Sequence, residues 1–232
     1  MGFLDGVSRK SWNPTDDRGF VNILGLKPTA TGINVDQQKA LTFAAVNACV
    51  RLLSGTAASL PFMVYRRLSP RGKVRAPETP QYRVLHDAAN PEMPAMIFRE
   101  TMMVYLLLWG NAYARIVRDK GDRVRQLWPL RPDRMRLERD DDTDELVYKY
   151  TPVGSAIPIP FASRDILHIP GLSFNGITGL NPIDYFRESV GLGLAEEEHG
   201  SRFFGNDARP GLVMTYPGKM KDTSVEQVRK SI

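Results

Sequence analysis

The chain has 232 residues, 42% hydrophobic and 25% charged, with 31 Lys and Arg against 26 Asp and Glu for a net charge of +5. That balance suits one large or two small globular domains with a sizeable core, and the small basic surplus permits contact with nucleic acid without requiring it. A single cysteine, Cys49, excludes an internal disulfide framework and any cysteine-based zinc site, and no apolar run reaches the ~18 residues of a membrane span.

Residues 1–33 mix glycine, proline and charge with weak periodicity and read as an N-terminal arm. Asn34 or Asp36 can cap a helix over residues 40–58. Leu41, Ala45, Ala48 and Leu52 lie on its broad buried face, with Cys49 inside as a small hydrophobe. Leu60-Pro61 ends that helix, residues 62–67 form a short strand, and Ser69-Pro70-Arg71-Gly72 is a turn. A short helix around residues 81–88 follows. Pro94 is placed to open the next helix, residues 96–109, as its first residue.

That helix stops at Trp109-Gly110-Asn111, where Gly110 suits a left-handed C-cap. Tyr113, Arg115 and Val117 then alternate with Ala112, Ala114, Ile116 and Arg118, the period of a strand. Strands 111–118 and 123–128 flank Asp119-Lys120-Gly121-Asp122, a hairpin connection with Gly for the positive φ. Strands 135–139 and 146–151 flank an acidic turn, and residues 166–169 form another strand. The middle of the chain is therefore an antiparallel sheet with helices ahead of it, an α+β arrangement.

From Pro182 the pattern turns helical again. Residues 183–204 can run as one helix of about 22 residues, on the order of 33 Å, which crosses the domain or projects from it. Gly191 and Gly193 each disfavour its interior by roughly 1 kcal/mol relative to Ala. They mark either close approach by a neighbouring helix or a kink. In the first case Gly193→Leu impairs assembly more than folding. Residues 211–216 read as a strand and Thr223-Ser224-Val225-Glu226 as a capping box opening a last helix. Val225, Val228 and Ile232 share a side with nothing after them to cover it, so the chain reads as a fragment.

No enzyme motif is present. There is no phosphate-binding G-x-x-x-x-G-K-[ST] loop and no G-x-S-x-G elbow around Ser173. His86, His168 and His199 are far apart, and His168 in DILHIP reads as a hydrogen-bonded structural histidine. Asp140, Asp141, Asp142, Asp144 and Glu145 lack calcium-loop spacing and read as a solvated turn. Two basic clusters stand out. Arg66, Arg67, Arg71, Lys73 and Arg75 occur without an intervening acid, and Arg115, Arg118, Lys120, Arg123 and Arg125 surround the hairpin. Each is either a phosphate-tracking surface or a soluble edge, ion-paired to a neighbouring subunit.

Several segments, in order, resemble the HK97-type bacteriophage portal family. They are residues 45–67 (AVNACVRLLSGTAASLPFMVYRR), 85–91 (LHDAANP), 98–118 around LLLWGNAYARIVR, 127–134 (LWPLRPDR), 165–171 (DILHIPG) with 176–182 (GITGLNP), and 203–210 (FFGNDARP). Met93 stands where the pattern favours a capping Ser or Thr. The resemblance implies a homo-oligomeric ring, usually of twelve subunits, at one capsid vertex. Double-stranded DNA passes through it without sequence preference, driven by a separate terminase. Capsid and scaffolding proteins, a head–tail adaptor and the terminase are the implied partners, in the virion and, during assembly, in the host cytoplasm, with no membrane and no cofactor. In those terms residues 34–181 resemble the wing, 182–206 a stem helix and 207–232 the start of the clip. The resemblance implies no catalytic residues. Candidate subunit contacts are Gly191, Gly193, Phe203 and Phe204. Candidate DNA or subunit electrostatic contacts are Arg66, Arg67, Arg115, Arg118, Lys120 and Arg123.

Overall fold

Alternate side chains of strand Asn111–Arg118 enter two different cores, and this divides the molecule into layers. A computed structural model describes residues 29–140, 142–206, 218 and 221–231. Ala112 and Ala114 join Val84, Phe98, Met102 and Leu127 on one side, while Tyr113 joins Leu130, Leu137, Tyr148 and Ile166 on the other. A strand sandwiched on both faces needs small residues where a helix lies close, which is what the two alanines supply.

The elements run in order as helices α1 (Gln37–Thr42) and α2 (Ala44–Ser59), then strands β1 (Tyr65–Arg67) and β2 (Lys73–Arg75). Next come the single turn α3 (Pro80–Tyr82), β3 (Ala88–Asn90), β4 (Met93–Pro94) and helix α4 (Ala95–Trp109). Six strands follow: β5 (Asn111–Arg118), β6 (Val124–Leu130), β7 (Met135–Arg139), β8 (Leu146–Tyr150), β9 (Ile159–Ala162) and β10 (Ile166–Pro170). Helices α5 (Pro182–Tyr185), α6 (Arg187–Gly205) and α7 (Asp222–Ser231) complete the series. The chain forms two units, Met1–Leu194 and Ala195–Ile232. Ile183, Val190 and Leu194 explain the first unit's extent, because they pack with Val35, Val50 and Leu108 in a third core.

The α+β reading holds, but the expected single sheet is two: β10-β5-β6 and β7-β8-β9, beside the two-stranded ladders β1-β2 and β3-β4. All pairings are antiparallel. Strand β9 carries no clear alternation and was not expected from sequence. The split between sheets follows from the turn at Pro132–Arg134, which re-aims the chain before β7.

Several local readings are corrected. The helix expected over 40–58 is interrupted at Phe43, whose ψ of 120 is extended, although Asp36 caps α1 as expected, its Oδ1 accepting from the Lys39 amide at 2.7 Å. The buried side of α2 is Val50, Ser54 and Ala58, and Ala45, Ala48, Leu52 and Cys49 face outward. An Ala-rich helix carries apolar residues all round, so periodicity did not single out the buried stripe. Small Ser54 and Ala58 let α4 approach, and Arg99 of α4 reaches back to donate to the Ala58 carbonyl at 2.8 Å and the Leu85 carbonyl at 2.8 Å. A guanidinium on the last carbonyls of α2 complements its dipole.

In the β5–β6 connection the positive φ falls at Asp122 (59°), not at Gly121. The Asp119 carboxylate accepts from the Gly121 and Arg123 amides at 2.9 and 3.0 Å, so a side chain organises the turn and relieves Gly121 of that task. The single helix expected from Ile183 to Phe204 is two segments, interrupted at Phe186 (φ −100, ψ 17). Helix α7 begins at Asp222, with Lys221 accepting from the Ser224 amide, so the proposed capping box lies inside the helix. The strand expected at 211–216 lies outside the described residues, as do residues 1–28 of the arm.

Candidate functional site

The segments that carry the family resemblance converge where α4 ends. Gly110 takes the left-handed conformation expected of it, φ 74°, and its amide donates to the Leu106 carbonyl at 2.9 Å. Two further glycines crowd it. A Cβ on Gly110 would lie 1.7 Å from the Leu180 carbonyl oxygen, and one on Gly179 would lie 1.9 Å from the Gly110 carbonyl oxygen. That carbonyl accepts from the Gly171 amide at 2.8 Å. Backbone has replaced side chain here, so three chain segments meet at contact distance.

Asn111 locks the meeting point. Its Oδ1 accepts from the Gly179 amide at 2.8 Å and from His168 Nε2 at 3.1 Å, while its Nδ2 donates to the Gly179 carbonyl at 2.9 Å. With Nε2 donating, His168 Nδ1 is the acceptor for the Tyr148 hydroxyl at 3.2 Å. The imidazole stacks on Tyr113, ring centroids 4.5 Å apart. Burial pushes the His168 pKa down to about 4 and raises the Tyr113 and Tyr148 phenols. The histidine is neutral, single-tautomer and fully hydrogen-bonded, as the structural reading expects. Its chemistry is orientation: it ties β10, β5 and β8 to the loop that launches α5.

That launch is itself specified. The Asn181 side chain accepts from the Ile183 and Asp184 amides, and Pro182 occupies the first turn. Sequence reasoning took Trp109-Gly110-Asn111 as a cap and missed its partners. The signal was present as IPG at 169–171 and TGLNP at 178–182, glycines without a turn assignment.

The basic candidates separate. On β5–β6, Asp119 holds Arg125 at 2.9 Å and Arg123 at 3.5 Å, and Asp122 holds Arg164 at 3.1 Å and Arg118 at 3.7 Å. Arg118 also donates to the Arg164 carbonyl at 3.0 Å. The Asp119 carboxyl is held below its ordinary range, chiefly by the Arg123 amide. Arg115 lies over the Phe161 ring at 5.4 Å, and Lys120 is exposed at the turn. On β1–β2, Arg66 pairs with Glu78, and among the described residues no carboxylate pairs with Arg67, Arg71, Lys73 or Arg75. The acidic turn at 140–145 behaves as expected of a solvated connection: Asp140 accepts from the Asp142 and Thr143 amides.

Gly191 and Gly193 meet partners within their own chain. A Cβ on Gly191 would lie 2.6 Å from Thr29, and one on Gly193 would lie 2.5 Å from the Phe43 ring. The crowding comes from the Thr29 and Phe43 side chains and not from the backbone of a neighbouring helix, and the helix interruption lies at Phe186 and not at the glycines. Thr29 belongs to the stretch read as an arm, yet it is buried and anchored: the Ala30 amide donates to Glu188 at 3.0 Å, and Thr31 Oγ1 to the Gly191 carbonyl at 3.4 Å. In the second unit Phe203 and Phe204 form an edge-to-face pair with centroids 5.6 Å apart, and Phe204 is 74% exposed. Among the described residues no cluster of His, Cys, Asp and Glu is arranged to hold a metal, and no helix is long and apolar enough to cross a membrane.

The sequence model of the family described as phage portal protein matches residues 44–232. The chain belongs to the phage portal protein family. Among curated relatives, a "Probable portal protein" of Streptomyces phage phiC31 is 35% identical over 98% of this chain and 50% of its own length. The portal protein of Enterobacteria phage HK97 is 30% identical over 85% of this chain and 46% of its own. This portal-family chain thus spans about half the length of those two relatives. A solved structure titled as the neck of an empty gene transfer agent particle computed with C6 symmetry matches with TM-score 0.61 at 20% identity, covering 84% of this chain and 53% of that one. A native gene transfer agent virion matches at TM-score 0.60 and 20% identity, over 92% and 58%. These likenesses show that the chain shares its fold with a chain of each of those particles.

Proposed function

We propose that this chain works as part of a portal subunit in a ring, usually of twelve copies, at one capsid vertex. Double-stranded DNA passes through that ring without sequence preference while a separate terminase supplies the energy. The family match across residues 44–232 carries the reading. The protein's task in it is structural: to hold a channel open and to offer surfaces to the capsid and its scaffold, the terminase and a head–tail adaptor. Residues 34–181 then serve as wing, 182–206 as stem and 207–232 as the start of the clip, with assembly in the host cytoplasm before residence in the virion.

Two surfaces support assembly with further copies. The outward side of α2 exposes Leu52 (70%) beside a shallow groove of about 580 Å³ lined by Leu41, Ala44, Ala48 and Leu52 together with Thr42, Asn47 and Arg51. A mixed apolar and polar surface of this kind suits a protein partner. The Phe203–Phe204 pair is the second. Negative-stain microscopy of the full-length product, free of nucleic acid, is the test. Uniform rings are expected, and a monodisperse monomer at micromolar concentration overturns the reading.

A further inference from the structure

The ladder β1–β2 concentrates positive charge where the fold gains nothing from it. Its register pairs Tyr65 with Arg75, Arg66 with Val74 and Arg67 with Lys73. Directly opposite residues and their i+2 neighbours share a face, so Tyr65, Arg67, Lys73 and Arg75 stand together, and the Lys73 ammonium lies 4.8 Å from the Tyr65 ring centroid. The flanking bonds from Leu68 to Gly72 and from Ala76 to Val64 place hydrogen-bonded pairs at 64/76, 66/74 and 68/72. Arg67 and Lys73 therefore occupy a non-hydrogen-bonded pair, the closer of the two kinds, where like charges destabilise a ladder. Every residue of both strands is exposed. Arg71 adds a cation in the turn, and the remaining face holds Arg66, which among the described residues is the one cation here with a carboxylate partner.

The contrast with β5–β6 is informative. There Asp119 and Asp122 each hold two arginines, and among the described residues only Arg115 and Lys120 of that cluster have no carboxylate partner. Here four cations have no acid among the described residues. A small anion would need a pocket, and none is formed by a two-stranded ribbon exposed on both faces. An acidic protein surface would engage one face. A narrow ribbon with cations along one face and in the turn at its tip matches a groove walled by phosphates, and the major groove of duplex DNA admits a two-stranded ribbon.

We infer that the β1–β2 ribbon is a sequence-independent binding site for the phosphodiester backbone of duplex DNA, with Arg67, Arg71, Lys73 and Arg75 as its phosphate contacts. The inference deepens the portal reading by naming a surface of the wing that meets DNA, and its partner rests on that reading. Arg67 and Arg75 can each fork onto phosphate oxygens, and Lys73 acts as a point charge held by the tyrosine ring. No base edge is read, so affinity depends on salt and not on sequence.

The test is fluorescence anisotropy of the full chain with two short labelled duplexes of unrelated sequence, titrated between about 50 and 200 mM salt. Wild type is expected to bind both alike, with log K falling about 0.9 per phosphate contact for each decade of salt. The triple variant Arg67→Ala, Lys73→Ala, Arg75→Ala is expected to weaken binding roughly tenfold or more at low salt and to flatten the slope by about 2 to 3. Arg123→Ala with Arg125→Ala leaves both unchanged, and Arg67→Lys with Arg75→Lys keeps the slope, which separates loss of charge from loss of fold. No binding by wild type at low salt, or an unaltered triple variant, overturns the inference; so does tight binding of poly-glutamate with none of DNA. Mass photometry of the full-length product keeps the two readings apart. Rings that persist in the triple variant while DNA binding is lost support both, whereas a ringless wild type that still binds DNA sinks the portal reading and leaves the ribbon standing.

Discussion

The junction at Gly110 and the ribbon β1–β2 use polar groups in opposite ways. At the junction the Asn111 amide, both His168 ring nitrogens and the Gly179 peptide are all engaged inside the chain. On the ribbon, three cations and a tyrosine share a face, and no carboxylate among the described residues pairs with those cations. Closed networks hold a fold, because removing one member leaves buried partners unsatisfied. Open charges contribute almost nothing to stability in water and remain available to an outside partner. The difference separates residues that build the fold from residues left open to solvent.

Substitutions across the two regions can break that distinction, and the largest effect belongs to Gly110. Gly110→Val places a Cβ inside the Leu180 carbonyl and strains a positive φ, so a loss of about 4 kcal/mol or more, or failure to fold, is expected in urea unfolding. A variant that melts like wild type shows that the α4 end can move away, and the junction is then not a rigid meeting point. Asn111→Ala strands the Gly179 amide, its carbonyl and the His168 N–H, with an expected loss of about 2 to 4 kcal/mol.

Gly193→Leu sharpens the comparison from another element. The structure puts the Phe43 ring where the new side chain must go, so the subunit itself loses about 1 to 3 kcal/mol before assembly is measured. From sequence alone, assembly suffers more than folding if that surface packs against a neighbouring subunit. Unchanged stability with lost rings restores the intersubunit account.

The junction also carries a pH dependence. His168 has a folded pKa near 4, below the ordinary histidine value of 6.5, because burial disfavours its charged form. Between those values the unfolded chain binds more protons, so stability is complete above about pH 6.5 and falls as pH drops toward 4, by at most about 1.4 kcal/mol per pH unit for one proton. Urea midpoints at pH 7 and pH 5 should diverge more in wild type than in His168→Gln. Equal divergence in the two proteins assigns the loss to other groups. The smallest effect is expected on the ribbon: Lys73→Ala changes stability by no more than about 0.5 kcal/mol, since a like-charge pair and a cation–ring contact are removed together. A larger loss by thermal melting means that the ribbon is part of the scaffold after all.

Much of the local structure was legible because it depends on near neighbours in sequence. The Gly110 cap, the alternation of β5, the Asp36 cap and the solvated acidic turn each rest on one residue type meeting one backbone requirement. The buried side of α2 was not legible, since apolar residues surround that helix and only α4 decides which of them it covers. Nor was the interruption at Phe186, in a segment whose sequence supports helix throughout. The candidate basic residues were found in sequence, but the two clusters looked alike there.

Sequence by itself determined the α+β class and many of the caps, turns and strands, because these follow from residue chemistry and spacing along one chain, and its ordered segments carried the resemblance to the family. Only tertiary structure decided that Gly110, Gly171 and Gly179 are one contact, that Asn111 and His168 belong to one network, and that four arginines around β5–β6 meet aspartates while four cations of β1–β2 meet no carboxylate among the described residues. Those distinctions depend on which carboxylate or carbonyl lies within about 3 Å of which donor. Distances of that kind between residues some 70 positions apart, as Asn111 and Gly179 are (68 apart), exist only once the chain has folded.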